Sequence, residues 1–356
     1  MNSILQKPDC AWSLKDLADV PQNGLTVMST FACGGGSSMG YKRAGCTIVA
    51  ANDIDPEMAW HYKHNLKPPN YFLCPIGDLL KKDLPAELFN LDILDGSPPC
   101  STFSMAGSRE KAWGKNKKFR EGQTTQVLSD LFFDYLNLVE RLRPRVAIAE
   151  NVKGMILGNA KGYTKLVMAR FKEIGYRVQL FLLNAADCGV PQRRERVFFC
   201  AVRDDIQAKP LELKPQHRWI SAGEACEDLQ ELTAAETVNT KPTPLDKAWW
   251  HKTKPGDGSG YATARTIEEG RRCAFNHIRL SGLCPANSLP ATDSIKHWSK
   301  CRSLTFREWK RLGSFPDDYH AKTDKIGKYM IGMSVPPKMT EQVAKAVIEQ
   351  WLQPNS

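Results

Sequence analysis

The sequence predicts an α/β protein, with a mostly parallel sheet covered by helices on both faces and a second, smaller region after it. Three observations point there. Over about the first 180 residues, short β-prone apolar runs alternate with stretches of helical periodicity, the pattern of repeated strand-then-helix units. A glycine cluster, Cys33-Gly34-Gly35-Gly36, separates the first such run from the first helical stretch, where this architecture turns tightly. Beyond about residue 204 the pattern gives way to scattered Pro, Gly, Lys and Trp with weak periodicity.

Thr26 to Thr30 reads as the first strand, and the helical stretch after the glycines ends at Gly45. Thr47 to Asn52 is a second strand that delivers Asp53 and Asp55 at its end. Leu91 to Leu94 and Val146 to Ala149 are further apolar strands, each running into a polar sequence. Between them Val127, Leu128, Leu131, Phe132, Tyr135, Leu138, Val139 and Leu142 recur at helical spacing until Pro144 stops the run, which predicts a helix packed on the sheet. Arg177 to Leu183 and Val197 to Val202 complete the strands. After Pro336-Pro337, helical periodicity returns at Val343, Ala344, Val347, Ile348 and Trp351, a helix expected to pack back on the large domain. The predicted division is residues 1–203 plus 330–356 as the large domain, 204–301 as the small one, and 302–329 as hinge and return segment.

At 356 residues, and roughly 150 per domain, two domains are expected. A chain that is 42% hydrophobic and 25% charged is not wholly disordered or collagen-like. No run approaches the roughly 18 apolar residues of a membrane span, and Lys7 and Asp9 break any leader core, so a cytoplasmic location is expected. Forty-nine basic against thirty-nine acidic side chains leave +10, a balance that favours polyanionic partners. The 11 cysteines include no C-x-x-C pair, so neither structural zinc nor a disulfide framework is expected. His61 and His64 lack an acidic or cysteine partner at metal spacing, and a solvated helix surface is predicted there, with no metal.

Glycines between a first strand and a helix let backbone N–H groups approach a ligand, and an acid ending the second strand can accept from ribose hydroxyls. Gly34 to Asp53 spans 19 positions, near that spacing, although a tight structural turn explains the cluster about as well. Asp78, after another strand edge, is a third polar candidate. The sharper feature is Asp95-Gly96-Ser97-Pro98-Pro99-Cys100, placed just beyond the strand ending at Leu94. Two prolines stiffen a loop at the sheet edge where ligands bind, and a cysteine in that polar setting is a candidate nucleophile. Glu150 leaves the next strand at the matching edge, where a partly desolvated carboxyl can hold a proton near neutrality. In Gln192-Arg193-Arg194-Glu195-Arg196, strand alternation predicts that Arg194 and Arg196 point the same way.

Together Phe31-Ala32-Cys33-Gly34-Gly35-Gly36, Pro98-Pro99-Cys100, Glu150-Asn151-Val152, Gln192 to Arg196, Arg302-Ser303-Leu304-Thr305-x-Arg307-Glu308 and Gly332-Met333-Ser334-Val335 resemble, in order, the DNA (cytosine-5) methyltransferase family of bacterial or phage type. The resemblance runs from about residue 26 to 350. It implies a Rossmann-like S-adenosylmethionine-dependent methyltransferase fold with a target-recognition domain, acting on double-stranded DNA. Carbon 5 of cytosine is a poor nucleophile, so Cys100 would first add to carbon 6 of a flipped-out base. By the resemblance Glu150 contacts ring nitrogen 3 and the amine, Arg196 the base carbonyl, and Arg194 supports the catalytic loop and its thiolate. Phe31, Cys33, Gly34 and Gly36 fall around S-adenosylmethionine, Asp53 with Ile54 on its ribose and adenine, Asp78 on the adenine amine, and Pro99, Leu131 and Ser334 at further contacts. S-adenosylhomocysteine would be the product left in the site.

Three departures bear on those contacts. Ser29 stands where the family often has an acid, Cys33 replaces the usual first glycine, and Met333 a common asparagine. Arg109 to Arg120, rich in Lys and Arg, resembles the family's loop that closes over DNA; taken alone it is an ordinary solvated loop. Base reading is expected from about 204 to 275, where Trp249, Trp250, His251, Lys252, Lys254, Arg265, Arg271 and Arg272 lie, against the alternative that several are surface or local core. A monomer on DNA, nucleoid association and pairing with a restriction endonuclease are the accompanying expectations. An amino-group methyltransferase is the first rival, since Ser97-Pro98-Pro99 is similar to the S-P-P-aromatic signature, but it leaves Glu150 and the arginine run unused. A transfer-RNA substrate and a catalytically dead DNA-binding regulator are the others, the last disfavoured by intact Cys100, Glu150 and Arg196.

Overall fold

The computed structural model describes residues 8–99, 131–158, 160–256, 260–270 and 277–353, and the backbone of two short paired strands, Asn116–Lys117 and Gln126–Val127. The chain forms two compact units. The sheet unit comprises Asp19–Asn184, Glu195–Pro215 and Thr340–Ser356; the small unit comprises Met1–Ala18, Ala185–Arg194 and Gln216–Met339.

In the sheet unit, β1 (Thr26–Thr30), β2 (Thr47–Asp53), β3 (Asn70–Leu73), β4 (Ile93–Gly96), β5 (Val146–Val152), β6 (Tyr176–Asn184) and β7 (Glu195–Arg203) form one seven-stranded sheet in the order β3-β2-β1-β4-β5-β7-β6. The pairings are parallel except those of β7, which runs antiparallel to β5 and β6. From β1 the chain winds outward to β2 and β3, then returns past β1 to β4. That reversal makes the carboxyl ends of β1 and β4 a topological switch point, the place where open α/β sheets bind ligands.

Among the helices of the unit are α1 (Gly36–Arg43), α2 (Pro56–Leu66), α3 (Leu131–Leu142) and α4 (Ala160–Glu173). Asp55 caps α2, accepting from the N–H groups of Glu57 and Met58 ahead of Pro56 at the first helical turn. Phe132, Tyr135, Leu136 and Val139 of α3 meet Val167 and Phe171 of α4 over Leu94, Ala147, Ala149, Val197 and Phe199 of the sheet. The Tyr135 hydroxyl lies 2.9 Å from the carbonyl oxygens of both Leu94 and Ile148, bridging β4 and β5. The helix expected from Val127 is described over Leu131–Leu142, and Val127 itself is paired with Asn116 in the short strands.

β4 extends through Asp95 and Gly96, and β5 through Asn151 and Val152, so these residues belong to strands rather than following them. The reason is that β4 is flanked on both sides, by β1 and β5, and the ladder continues to its last backbone groups. Gly96 permits this: a Cβ there would stand 2.6 Å from the Tyr135 ring. The C-terminal helix, Pro337–Val347, carries the chain back to the sheet unit, where the Trp351 indole donates to the Lys209 carbonyl at 2.9 Å.

Chain that the sequence divided otherwise gathers in the small unit. Trp12 is buried and its indole donates to the Ser314 carbonyl at 2.8 Å, which holds the N-terminal segment there. Gln192 pairs with Ala286 and its side chain donates to the Leu312 carbonyl, which holds 185–194. The expected hinge is ordered core. Thr305 forms a reciprocal capping box with Glu308, and Arg302 makes two bonds to the same carboxylate at 2.8 and 2.7 Å. Trp249 and Trp250 are buried with Tyr261, so they are local core and not base-reading side chains; His251, Lys252 and Lys254 are exposed. The Arg265 guanidinium lies over the Trp249 ring and the Arg279 guanidinium over Trp250. Arg271 and Arg272 lie outside the described residues. His61 is buried, correcting its expected place on a solvated face, and Trp60 stacks on His64. Among the described residues, no helix is long and apolar enough to cross a membrane.

Candidate active site

The glycine loop begins where β1 ends. Phe31 and Cys33 adopt left-handed backbone conformations (φ 51° and 46°), as does Gly35 at φ 86°. For the two non-glycine residues this strain is on the order of 1 kcal/mol or more each, which the surroundings must over-determine. They do so through Asp53: its Oδ2 accepts from the Cys33 N–H at 2.7 Å, and its Oδ1 from the Asp55 N–H at 2.9 Å. Burial pushes the Asp53 carboxyl above its ordinary value, the two N–H groups oppose that, and the neighbouring Asp55 reinforces it. Gly34 and Gly36 are buried, Ile54 is half-buried beside Asp53, and Gly36 opens α1. Asp78 sits in the turn Ile76–Leu79 beyond β3 and is exposed.

At the neighbouring strand ends, Glu150 and Arg196 pair, with Oε1 and Nε 2.9 Å apart and their side chains 10% and 16% exposed. They meet because Phe198 lies opposite Glu150 in the antiparallel ladder, so Arg196 two residues before it is the diagonal neighbour on the same face. Burial lowers the Arg196 pKa and Glu150 opposes that shift. Asn151 turns to the other face, where its amide donates to the Pro98 carbonyl at 3.0 Å and so holds the Pro-Pro turn against β5. Pro99 is half-buried. Cys100 and Arg109 to Arg120 lie outside the described residues, apart from the Asn116–Lys117 backbone.

Arg194 departs from the expected alternation. The paired part of β7 starts at Glu195, so Arg194 is not a strand residue and shares no face with Arg196. It belongs to the small unit, where it is buried and donates to the carbonyls of Leu289 (3.1 Å), Gly332 (2.8 Å) and Ser334 (3.2 Å). Ser334, also in that unit, ends the helix Asp324–Met333 with its hydroxyl donating to the Met330 carbonyl. Leu131 is buried at the head of α3 within the sheet-unit core.

Residues 25–349 match the family model for C-5 cytosine-specific DNA methylases. The chain belongs to that family. It is therefore a DNA cytosine-5 methyltransferase, which removes the amino-group alternative. Among its relatives are the type II methyltransferase M.FnuDI of Fusobacterium nucleatum, 34% identical over 91% of this chain and 94% of that one, and M.MthTI of Methanothermobacter thermautotrophicus, 30% identical over 91% and 97%. In fold the methyltransferase is similar to Spodoptera frugiperda DNMT2 (TM-score 0.63, 18% identity, 92% and 100% of the two chains) and to S. pombe Dnmt2 (0.62, 16%, 91% and 98%).

Three side chains of the methyltransferase's sheet edge were absent from the sequence-predicted site. Asn151 was visible only as part of a motif. Asp95 is buried at the end of β4, bonded to Ser29 and Tyr41. Tyr71 of β3 has a buried hydroxyl with no hydrogen-bond partner among the described residues. No sequence signal marks Tyr71, since an aromatic in a strand is read as core.

Proposed function

We propose that the protein transfers a methyl group from S-adenosylmethionine to carbon 5 of a flipped-out cytosine in a specific double-stranded DNA sequence, through a covalent Cys100 adduct. The observation that carries this reading is the Glu150–Arg196 pair at the strand end beside the turn that leads to Cys100. A buried carboxyl and a guanidinium held together are the groups that a cytosine ring needs, one for ring nitrogen 3 and the exocyclic amine, the other for the carbonyl oxygen.

The glycine loop fits the donor. Asp53 fixes the loop through the Cys33 N–H and keeps further lone pairs for ribose hydroxyls, and the loop's strained backbone is of the kind that persists at ligand sites. Phe31, Cys33, Gly34, Gly36, Asp53, Ile54, Asp78, Pro99, Leu131 and Ser334 are the proposed holders. When bound, the donor supplies an electrophilic methyl group. In the proposed sequence the Cys100 thiolate adds to carbon 6, Glu150 offsets the charge that develops on the ring, Arg196 holds the carbonyl oxygen, and carbon 5 becomes nucleophilic. After transfer, carbon 5 loses its proton and the bond to Cys100 breaks. Arg194 is proposed to support the catalytic loop and its thiolate, its own guanidinium being held by the carbonyls of Leu289 and Gly332.

The type II names of the relatives support pairing with a restriction endonuclease. The direct test is duplex DNA containing 5-fluorocytosine, in which fluorine blocks the final elimination. With S-adenosylmethionine the wild type should yield a covalent protein–DNA species, and Cys100→Ala should yield none. An adduct that survives in Cys100→Ala refutes the assignment.

A further inference from the structure

The proposed chemistry makes no use of Asp95, a carboxyl that is 3% exposed at the end of β4. Its two oxygens are shared between two elements. Ser29 of β1 donates its hydroxyl to Oδ2 at 2.9 Å, and Tyr41 of α1 donates to Oδ1 at 3.0 Å; both donors are fully buried. The Asp95 carbonyl accepts from the Thr30 hydroxyl at 2.9 Å. Ser29 stands two residues before Phe31, and Tyr41 lies on the helix that leaves the glycine loop. Asp95 itself lies on the strand that continues into Pro98-Pro99-Cys100. One side chain thus joins the entry and the exit of the glycine loop to the base of the nucleophile's loop.

A buried carboxyl is an expensive way to satisfy two hydroxyls that a neutral amide or a carbonyl would serve. That cost calls for a role that a packing residue does not have. We infer that Asp95 is a positioning residue that sets the two sides of the glycine loop, and through them the affinity for S-adenosylmethionine. This inference rests on the proposed cofactor site. The geometry also says where else the acid can stand. Ser29 and Asp95 are register partners on adjacent parallel strands, with their side chains on one face. An aspartate at 29 facing a serine at 95 would bring a carboxylate to the same point from the other strand.

The test is calorimetric titration of the full chain with S-adenosylhomocysteine, the unreactive product. Asp95→Ser should weaken binding about tenfold, the scale of one buried charge-assisted hydrogen bond. Tyr41→Phe should weaken it several-fold and add nothing when combined with Asp95→Ser, because both act through one contact. The reciprocal exchange Ser29→Asp with Asp95→Ser should return affinity to within about threefold of wild type, a rescue that loss of packing alone does not predict. In turnover, KM for the cofactor should rise more than kcat falls. Wild-type affinity in folded Tyr41→Phe overturns the inference, and so does an exchange no better than Asp95→Ser alone. If Asp95→Ser does not fold, Tyr41→Phe decides the matter by the same titration. Asp53→Ala separates the two readings: if it binds like wild type the site itself is misplaced, whereas its loss of binding beside unaffected Tyr41 and Asp95 variants defeats only the positioning role.

Discussion

Glu150 and Arg196 leave each other little access to water, so the two substitutions at this pair should differ in kind. Arg196→Ala strands a buried carboxylate and should lower stability by about 3 kcal/mol as well as activity. Glu150→Gln keeps a neutral partner for the arginine and should leave the melting temperature within a few degrees while kcat falls about a hundredfold or more. Chemical denaturation alongside single-turnover kinetics checks both; equal stability losses would show that the pair serves structure alone. Asp95 adds a pH dependence. Burial, with Glu150 adding to it and the Ser29 and Tyr41 hydroxyls opposing, holds its carboxyl up at about 7. The unfolded chain loses that proton near ~3.9, so between roughly pH 4 and 7 the folded state holds more protons. Stability contributed by this group therefore falls as pH rises through that window, by at most about 4 kcal/mol, the reverse of a salt-bridged carboxylate. Urea denaturation from pH 5 to 8 should show the fall in wild type and a flatter profile in Asp95→Asn, and parallel profiles would count against it. Glu150 and Arg196 were legible in the sequence because residue types and order carry them. Arg194 was misread because alternation presumes a paired strand, and the pairing begins one residue later.

At the scale of elements, strand positions were largely readable because both-side burial demands continuous apolar runs, as in Val146 to Ala149. Their ends were not. Asp95, Glu150 and Asn151 are polar, yet the ladder runs through them, since backbone pairing and not side-chain polarity decides where an interior strand stops. The glycine loop shows the same limit, because a cluster of three does not reveal which member needs the left-handed conformation. Gly35 does, and a Cβ there would stand 2.3 Å from Leu66 and 3.2 Å from the Tyr62 ring. Gly35→Ala should lower stability by about 1–3 kcal/mol, since Leu66 can swing aside but the backbone penalty stays. It should also weaken S-adenosylhomocysteine binding, because the turn it deforms presents the Cys33 N–H to Asp53. Thermal melts with and without the ligand measure the two effects separately, and a ligand-induced shift as large as in wild type would argue against the second.

For the whole molecule, specificity and chemistry are expected to separate. Exchanging residues 216–301 for the corresponding stretch of a relative with another specificity should change the methylated sequence while the 5-fluorocytosine adduct still forms. Bisulfite sequencing of DNA from a methylation-free host reads the outcome; an active chimaera that marks the original sequence would move recognition to Arg109 to Arg120. The change of composition near residue 204 is the sequence's sign of a second region, and it falls at no boundary between the units. The true partition was hidden because it depends on long-range bonds such as Trp12 to Ser314 and Gln192 to Leu312, which leave no local pattern. That partition has a consequence for synthesis. The chain passes between units at 18/19, 184/185, 194/195, 215/216 and 339/340, so neither is a continuous stretch. On the ribosome, the sheet unit waits for residues after 340 to cover it, and the small unit must close around segments made long before. A chain released before residue 339 therefore has neither unit complete.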